Sequence, residues 1–280
     1  MKQLSTLILL LISLVSCNNM KTNNRQSNLS ESNTVQNSFI ALVSTHADSI
    51  YETTKISNPI KQESEYTKAF TNFHESIDSF ISTNILFRNF IGRIRNIKYE
   101  KGDESSFIYF DLSIEYDDKA SIHSINHTRN KFNCIYTLKN IYRENDSLFI
   151  NLQNINDNDM VYFNGFLSRG LDGNVSIAPQ ASVDGHMTGF YFSILDIDKK
   201  KLHTNYSSNL NNAIKAKFKE LYILGQCMLA NEDESVVRRK TSYLNLDSII
   251  NTLNNEEKQY INKIQKTYTL NLAREYINKR

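Results

Sequence analysis

Ile108, Phe110, Leu112, Ile114 and Tyr116 place an apolar side chain at every second residue, a pattern that suits a strand with one face in a core and one toward water. A helix cannot bury that set on one side, because its side chains repeat every 3.6 residues. Lys101-Gly102-Asp103 stands just before the run. Its turn chemistry predicts a hairpin with a preceding strand over residues 91–99.

Further segments rich in β-formers lie at residues 132–138, 160–167 and 190–197, with Asp172-Gly173 and Asp184-Gly185 as turns between them. Several short strands of this kind predict a small barrel or sandwich. On both sides of the strand region the apolar period becomes helical. Upstream, Phe39, Ile40, Val43, Ala47, Ile50, Tyr51 and Thr54 form one stripe. Ser57-Asn58-Pro59 then supplies a cap and a first-turn proline, and Tyr66, Ala69, Phe70, Phe73, Ile77, Phe80, Ile81 and Ile85 form a second.

Downstream of Lys199-Lys200-Lys201, Leu210, Ile214, Phe218, Leu221, Gly225 and Met228 recur at helical spacing, followed by Leu246, Ile249, Ile250 and Leu253. A last helix, capped by Asn254 or Asn255 with Glu256 and Glu257 at its positive end, carries Tyr260, Ile261, Ile264, Tyr268, Leu272 and Tyr276. Helices, strands, then helices predict an α+β fold rather than an alternating parallel sheet.

The N-terminus reads as an export signal. Lys2 gives a positive start, an apolar run extends from Leu4 to Val15, and Ser16-Cys17 supplies small residues at its end. A spanning helix needs roughly 20 apolar residues, and Asn18, Asn19, Lys21, Asn23 and Asn24 end the run before that. Residues 18–38 carry almost no apolar side chains and read as a flexible tether, on the order of 25 Å long as a coil. The expected organisation is a signal over 1–16, an anchored Cys17 and tether over 17–38, and a helical region over 39–87. A β domain over 88–198 and a second helical region over 199–280 complete it.

Leu14-Val15-Ser16-Cys17 resembles the lipobox of bacterial lipoproteins at all four positions. The resemblance implies cleavage before Cys17, conversion of its thiol to a diacylglyceryl thioether, and acylation of the new N-terminus. Each buried methylene contributes about 0.8 kcal/mol, so two or more chains hold where one would leave. By the same resemblance, Asn18 after the cysteine points to the outer membrane, with the protein facing the periplasm.

A second resemblance concerns the strand region. FIGRIRNI (90–97), Asp146-Ser147-Leu148-Phe149 with Leu152 and Ile155 behind, Asp159, Val161, Phe163 and Gly165 carry its first parts. Gly185, Met187 and Phe190 carry its last part, and Asn58-Pro59-Ile60 fits the helix in front. These residues resemble an uncharacterised OB-fold-like domain of bacterial envelope and stress-associated proteins, over residues 58–197. The pattern departs at Ile91, where that family often has Trp, and at Gly189, where Pro is common. The resemblance implies a small OB-like antiparallel β-barrel flanked by N-terminal and C-terminal helices, and it brings no catalytic residues. Barrels of this type bind oligonucleotides or oligosaccharides on an open face, and fold alone does not choose between them.

Chemistry-bearing motifs are few. With a formal net charge of +2 and 22% charged residues, no field that gathers polyanions is expected, so nucleic acid is not an expected partner. The chain contains no G-x-G-x-x-G, P-loop, H-E-x-x-H or G-x-S-x-G motif. His123 and His127 share the spacing of two helical zinc ligands, but only Asp117, Asp118 and the more distant Cys134 accompany them, so no metal site is expected. Cys134 and Cys227 read as two buried thiols rather than a bridge. Lys199 to Lys201 and Arg238-Arg239-Lys240, the latter after Glu232-Asp233-Glu234, read as solvated charge. Asp117-Asp118 and Asp157-Asp159 sit at turns, where Asp serves the backbone.

No catalytic constellation and no cofactor site is therefore expected, and Cys17, as the lipidation site, is the one functional residue. The expectation is an outer-membrane lipoprotein that acts as a binding or scaffolding module toward an envelope protein or glycan. The alternatives are a periplasmic enzyme with a deep pocket of clustered titratable groups, or a structural envelope protein acting through helix pairing.

Overall fold

The computed structural model describes residues 34–103, 105–114, 131–139, 146–170, 174–175, 189–202 and 206–278. Residues 1–16, expected as a signal, Cys17, His123, His127, Asp117, Asp118 and the turns expected at Asp172-Gly173 and Asp184-Gly185 lie outside the described residues.

Helix α1 (Thr34–Thr54) buries Phe39, Ile40, Val43, Ala47 and Ile50, the expected stripe. It begins at Thr34, inside the span expected to be tether up to residue 38. The correction has a long-range cause: Gln36 is buried, and its side-chain amide bonds both the N–H and the C=O of Ile91, each at 2.8 Å. Helix α2 (Pro59–Thr83) starts as its sequence dictates, with Asn58 Oδ1 accepting from the N–H groups of Ile60 and Lys61 and Pro59 in the first turn. Only the C-terminal half of its stripe is buried, at Phe73, Ile77 and Ile81.

Strands β1 (Phe87–Lys101), β2 (Ser105–Ile114), β3 (Lys131–Lys139), β4 (Met160–Leu167) and β5 (Gly189–Asp198) close a barrel in the order β1-β2-β3-β5-β4. Four of the neighbouring pairs are antiparallel, and β3 pairs with β5 in parallel. The barrel is therefore mixed rather than antiparallel throughout. The chain crosses from β3 to β4, and β5 then turns back into the remaining gap, where it must run with β3. Asparagines make the bends of β1. Asn89 and Asn96 take left-handed φ values of 48° and 56° where the register with β4 and with β2 shifts, a region Asn enters more readily than most residues.

The barrel interior is rich in phenylalanine. Phe87, Phe90, Phe132, Phe163, Phe190 and Phe192 are buried, and Phe132 stacks on Phe192 with ring centroids 4.5 Å apart. Phe39 of α1 enters the end where β1, β3 and β5 begin, its ring 5.2 Å from Phe87, 5.7 Å from Phe132 and 5.5 Å from Phe190. A short helix, α3 (Ser147–Gln153), capped by Asp146, closes the other end with Leu148 and Leu152. Its seven residues offered too little periodicity to be read as a helix from the sequence.

The C-terminal region forms α4 (Ser208–Leu229), α5 (Glu234–Thr241), α6 (Leu246–Asn251) and α7 (Asn255–Asn278). Asn254 is the cap of α7: its Oδ1 accepts from Glu257 N–H while Glu257 Oε2 accepts from Asn254 N–H, a reciprocal capping box. Phe166 and Leu195 point outward from β4 and β5 into a second core with Leu210, Ile214, Ile264 and Leu272. Helices α4 and α7 thus cover the outer side of β4 and β5. Asn164 ties the two cores, accepting from Asn89 N–H at 2.7 Å and donating to Asp196, which is also ion-paired to Lys263 of α7 at 2.7 Å. Among the described residues, no helix is long and apolar enough to cross a membrane.

Candidate functional site: the outer face of the barrel

Among the described residues, both barrel ends are plugged and β4–β5 are covered, and the outward side chains of β1 and β2 form the open face. Their identity follows from pairing. Along β2, Ser106, Ile108, Phe110 and Leu112 are buried, so Phe107, Tyr109 and Asp111 point outward and are half-buried. Across the sheet Phe107 stands opposite Glu100, Tyr109 opposite Lys98, Asp111 opposite Arg95, and Ser113 opposite Arg93. On the other side Tyr109 faces Ile135 of β3. Ile135 lines a narrow cleft with Thr267 and Leu270 of α7, so α7 bounds the open face there.

The bulge at Asn96 makes this arrangement. Without the register shift between Arg95 and Lys98, the β1 side chains beyond it would fall on the other face. Asn96 Nδ2 donates to Asp111 Oδ2 at 2.7 Å, fixing the bulge to β2. The Phe107 and Tyr109 rings lie side by side, centroids 6.2 Å apart and tilted by 31°. Arg93 donates to the Asn158 carbonyl at 2.9 Å. Arg95 Nε is buried and has no hydrogen-bond partner among the described residues. At the edge, Tyr99 donates to Ser106 Oγ at 3.1 Å while its ring stays half exposed.

Chemically this is a shallow platform. Two aromatic rings offer stacking surface, Arg93, Arg95 and Lys98 offer charge-assisted donors, and Asp111 and Glu100 offer acceptors. Among the described residues it has no nucleophile held by a base.

The other groups singled out in the sequence do local work. Cys134 and Cys227 are both free and buried, as expected. Cys134 sits inside the barrel opposite Phe110 and Phe192, and burial pushes its thiol well above the usual range. Asp159 pairs with Lys199 at 2.6 Å and accepts from Asn156 N–H; Lys199 and that bond hold its carboxyl below the usual range. Asp233 caps α5, and Glu232 pairs with Lys240 at 2.7 Å. Among the described residues, no cluster of three or more metal-ligating side chains occurs.

One half-buried acid–phenol contact was not legible in the sequence. The Tyr136 hydroxyl donates to Asp146 Oδ2, while Asp146 Oδ1 accepts from Leu148 N–H. Burial, then Asp146, pushes the phenol far up. Both carboxylate oxygens are thus engaged in holding the end of β3 to the start of α3, and the pair serves as a strap. Searches of protein-family models, of curated proteins and of solved structures find no match to this chain.

Proposed function

We propose that this chain is a lipid-anchored protein of the bacterial outer membrane that binds an acidic glycan across the outer face of β1 and β2. The anchor reading rests on Leu14-Val15-Ser16-Cys17 at the end of an export signal. The binding reading rests on one observation: Phe107 and Tyr109 share a face with Arg93, Arg95 and Lys98.

A sugar ring presents an apolar C–H face to an aromatic side chain, and a uronate or phosphate substituent presents the acceptors that the cations require. Three cations against two carboxylates favour an anionic ligand. The chain is near neutral, with a formal net charge of +2, whereas a nucleic-acid binder carries a strong basic excess.

The full chain in detergent, passed over immobilised polyuronate, neutral glucan and single-stranded oligonucleotide, tests the ligand class. Retention on the polyuronate above both others is expected. Preferential retention of the oligonucleotide, or no difference among the three, would refute the glycan assignment.

A further inference from the structure

We infer that a second site, separate from the barrel face, binds a single-chain amphiphile with an anionic head. A cavity of about 270 Å³ lies where the end of α2, the end of β4, α4 and α7 meet. Its floor is three mutually packed rings. Phe166 stands edge-on to Phe218 at 4.9 Å and stacks on Tyr268 at 5.9 Å, and Phe218 meets Tyr268 edge-on at 5.8 Å. Ile81 and Leu167, both buried, extend the apolar wall.

The cleft is open to solvent on one side, so an apolar group that fills it removes this apolar floor from water. At about 30 Å³ per water-sized group, the space takes roughly nine such groups, the length of a short acyl chain. Apolar walls alone do not name an occupant. The mouth does, through charge.

Lys215, Lys219 and Tyr222 stand at the i, i+4 and i+7 positions of α4, exposed along one side of the opening. Neither lysine has an ion-pair partner among the described residues. Across the opening Arg169 is held 3.2 Å from Asp78. Lys215 and Lys219 complement a carboxylate or phosphate whose chain points inward; they repel a cationic head and offer an uncharged one no ion pair.

Photocrosslinking tests this with the full chain in amphipol and a decanoate bearing a terminal diazirine. The label is expected on the peptides carrying Phe166, Phe218 or Tyr268. Excess decanoate or decyl phosphate should displace it about tenfold better than decanol does. Lys215→Glu with Lys219→Glu, both at exposed positions, should cut labelling about tenfold while leaving the denaturation midpoint unchanged. Labelling spread over the chain, equal competition by decanol, or labelling unaltered in the double variant would each overturn the inference. A free acid and a membrane lipid differ in source: retention of decanoate, with no extraction of lysophospholipid from vesicles, assigns the free acid, and extraction assigns the lipid.

Discussion

Gln36 completes the backbone hydrogen bonding of Ile91: its side-chain amide accepts from the Ile91 N–H and donates to the Ile91 carbonyl, both at 2.8 Å. One side chain of α1 thus acts as a surrogate strand beside β1, and it joins the N-terminal helix to the barrel.

Gln36→Ala removes both bonds and leaves an N–H and a C=O unpaired. The expected loss of stability is about 2 kcal/mol, read from the urea midpoint of the full chain. Gln36→Glu keeps the acceptor but sets a carboxylate against the Ile91 carbonyl, so it should restore little. A loss below about 0.5 kcal/mol for either variant would show that the bond pair is incidental.

Two glycines give opposite expectations. A Cβ at Gly165 would lie 2.3 Å from both the Phe192 ring and the Ser193 carbonyl. Gly165→Ala should therefore destabilise by about 3 kcal/mol or more, because backbone and a packed ring must both shift. In α4, a Cβ at Gly225 meets only the two Leu272 methyls, at 3.3 and 3.6 Å. Relief of glycine's cost within a helix offsets that contact, so Gly225→Ala should change stability by less than about 1 kcal/mol. Equal effects at the two positions would contradict the packing described.

Acid should weaken the fold in a defined window. Lys199 lowers Asp159, Lys240 lowers Glu232, and Ser207 lowers Glu257. A carboxyl whose folded pKa is depressed contributes stability above its unfolded pKa and loses it as pH falls through the folded one. The urea midpoint should therefore be lower at about pH 3 than at about pH 6. The drop should be smaller in the Asp159→Asn, Glu232→Gln double variant, and an identical drop there would remove these pairs from the account.

Three cysteines should behave in two ways. Alkylation of the unfolded chain without reductant should modify Cys134 and Cys227, since both are free thiols. Cys17, by the proposed anchoring, should resist alkylation and carry a metabolically supplied clickable fatty acid. Alkylation at three positions, or a chain that retains residues 1–16, would remove the anchor.

Much of this architecture was legible because the responsible signals are local. Asn58-Pro59 starts α2, and the alternation in β2 and the apolar run of β4 mark strands that fold where the pattern puts them. Long-range effects were hidden. Gln36 is polar and reads as tether until Ile91 is beside it. Helix α3 has only Asp146, Leu148 and Leu152 to announce it, and the parallel pairing of β3 with β5 is a property of closure rather than of either strand. The open face depended on the bulge at Asn96, whose left-handed φ no pattern of neighbouring residues reveals. Cys134 could be read as buried from its hydrophobic setting, but its opposition to Phe110 needed the register.

Glycan binding on the β1–β2 face is read by calorimetric titration of a polyuronate fragment into the full chain and into its Phe107→Ala, Tyr109→Ala double variant. Loss of ring stacking at about 1 kcal/mol or more per ring predicts at least a tenfold weaker Kd in a variant that is less stable but still unfolds cooperatively. Equal affinity in the two proteins would contradict binding on this face.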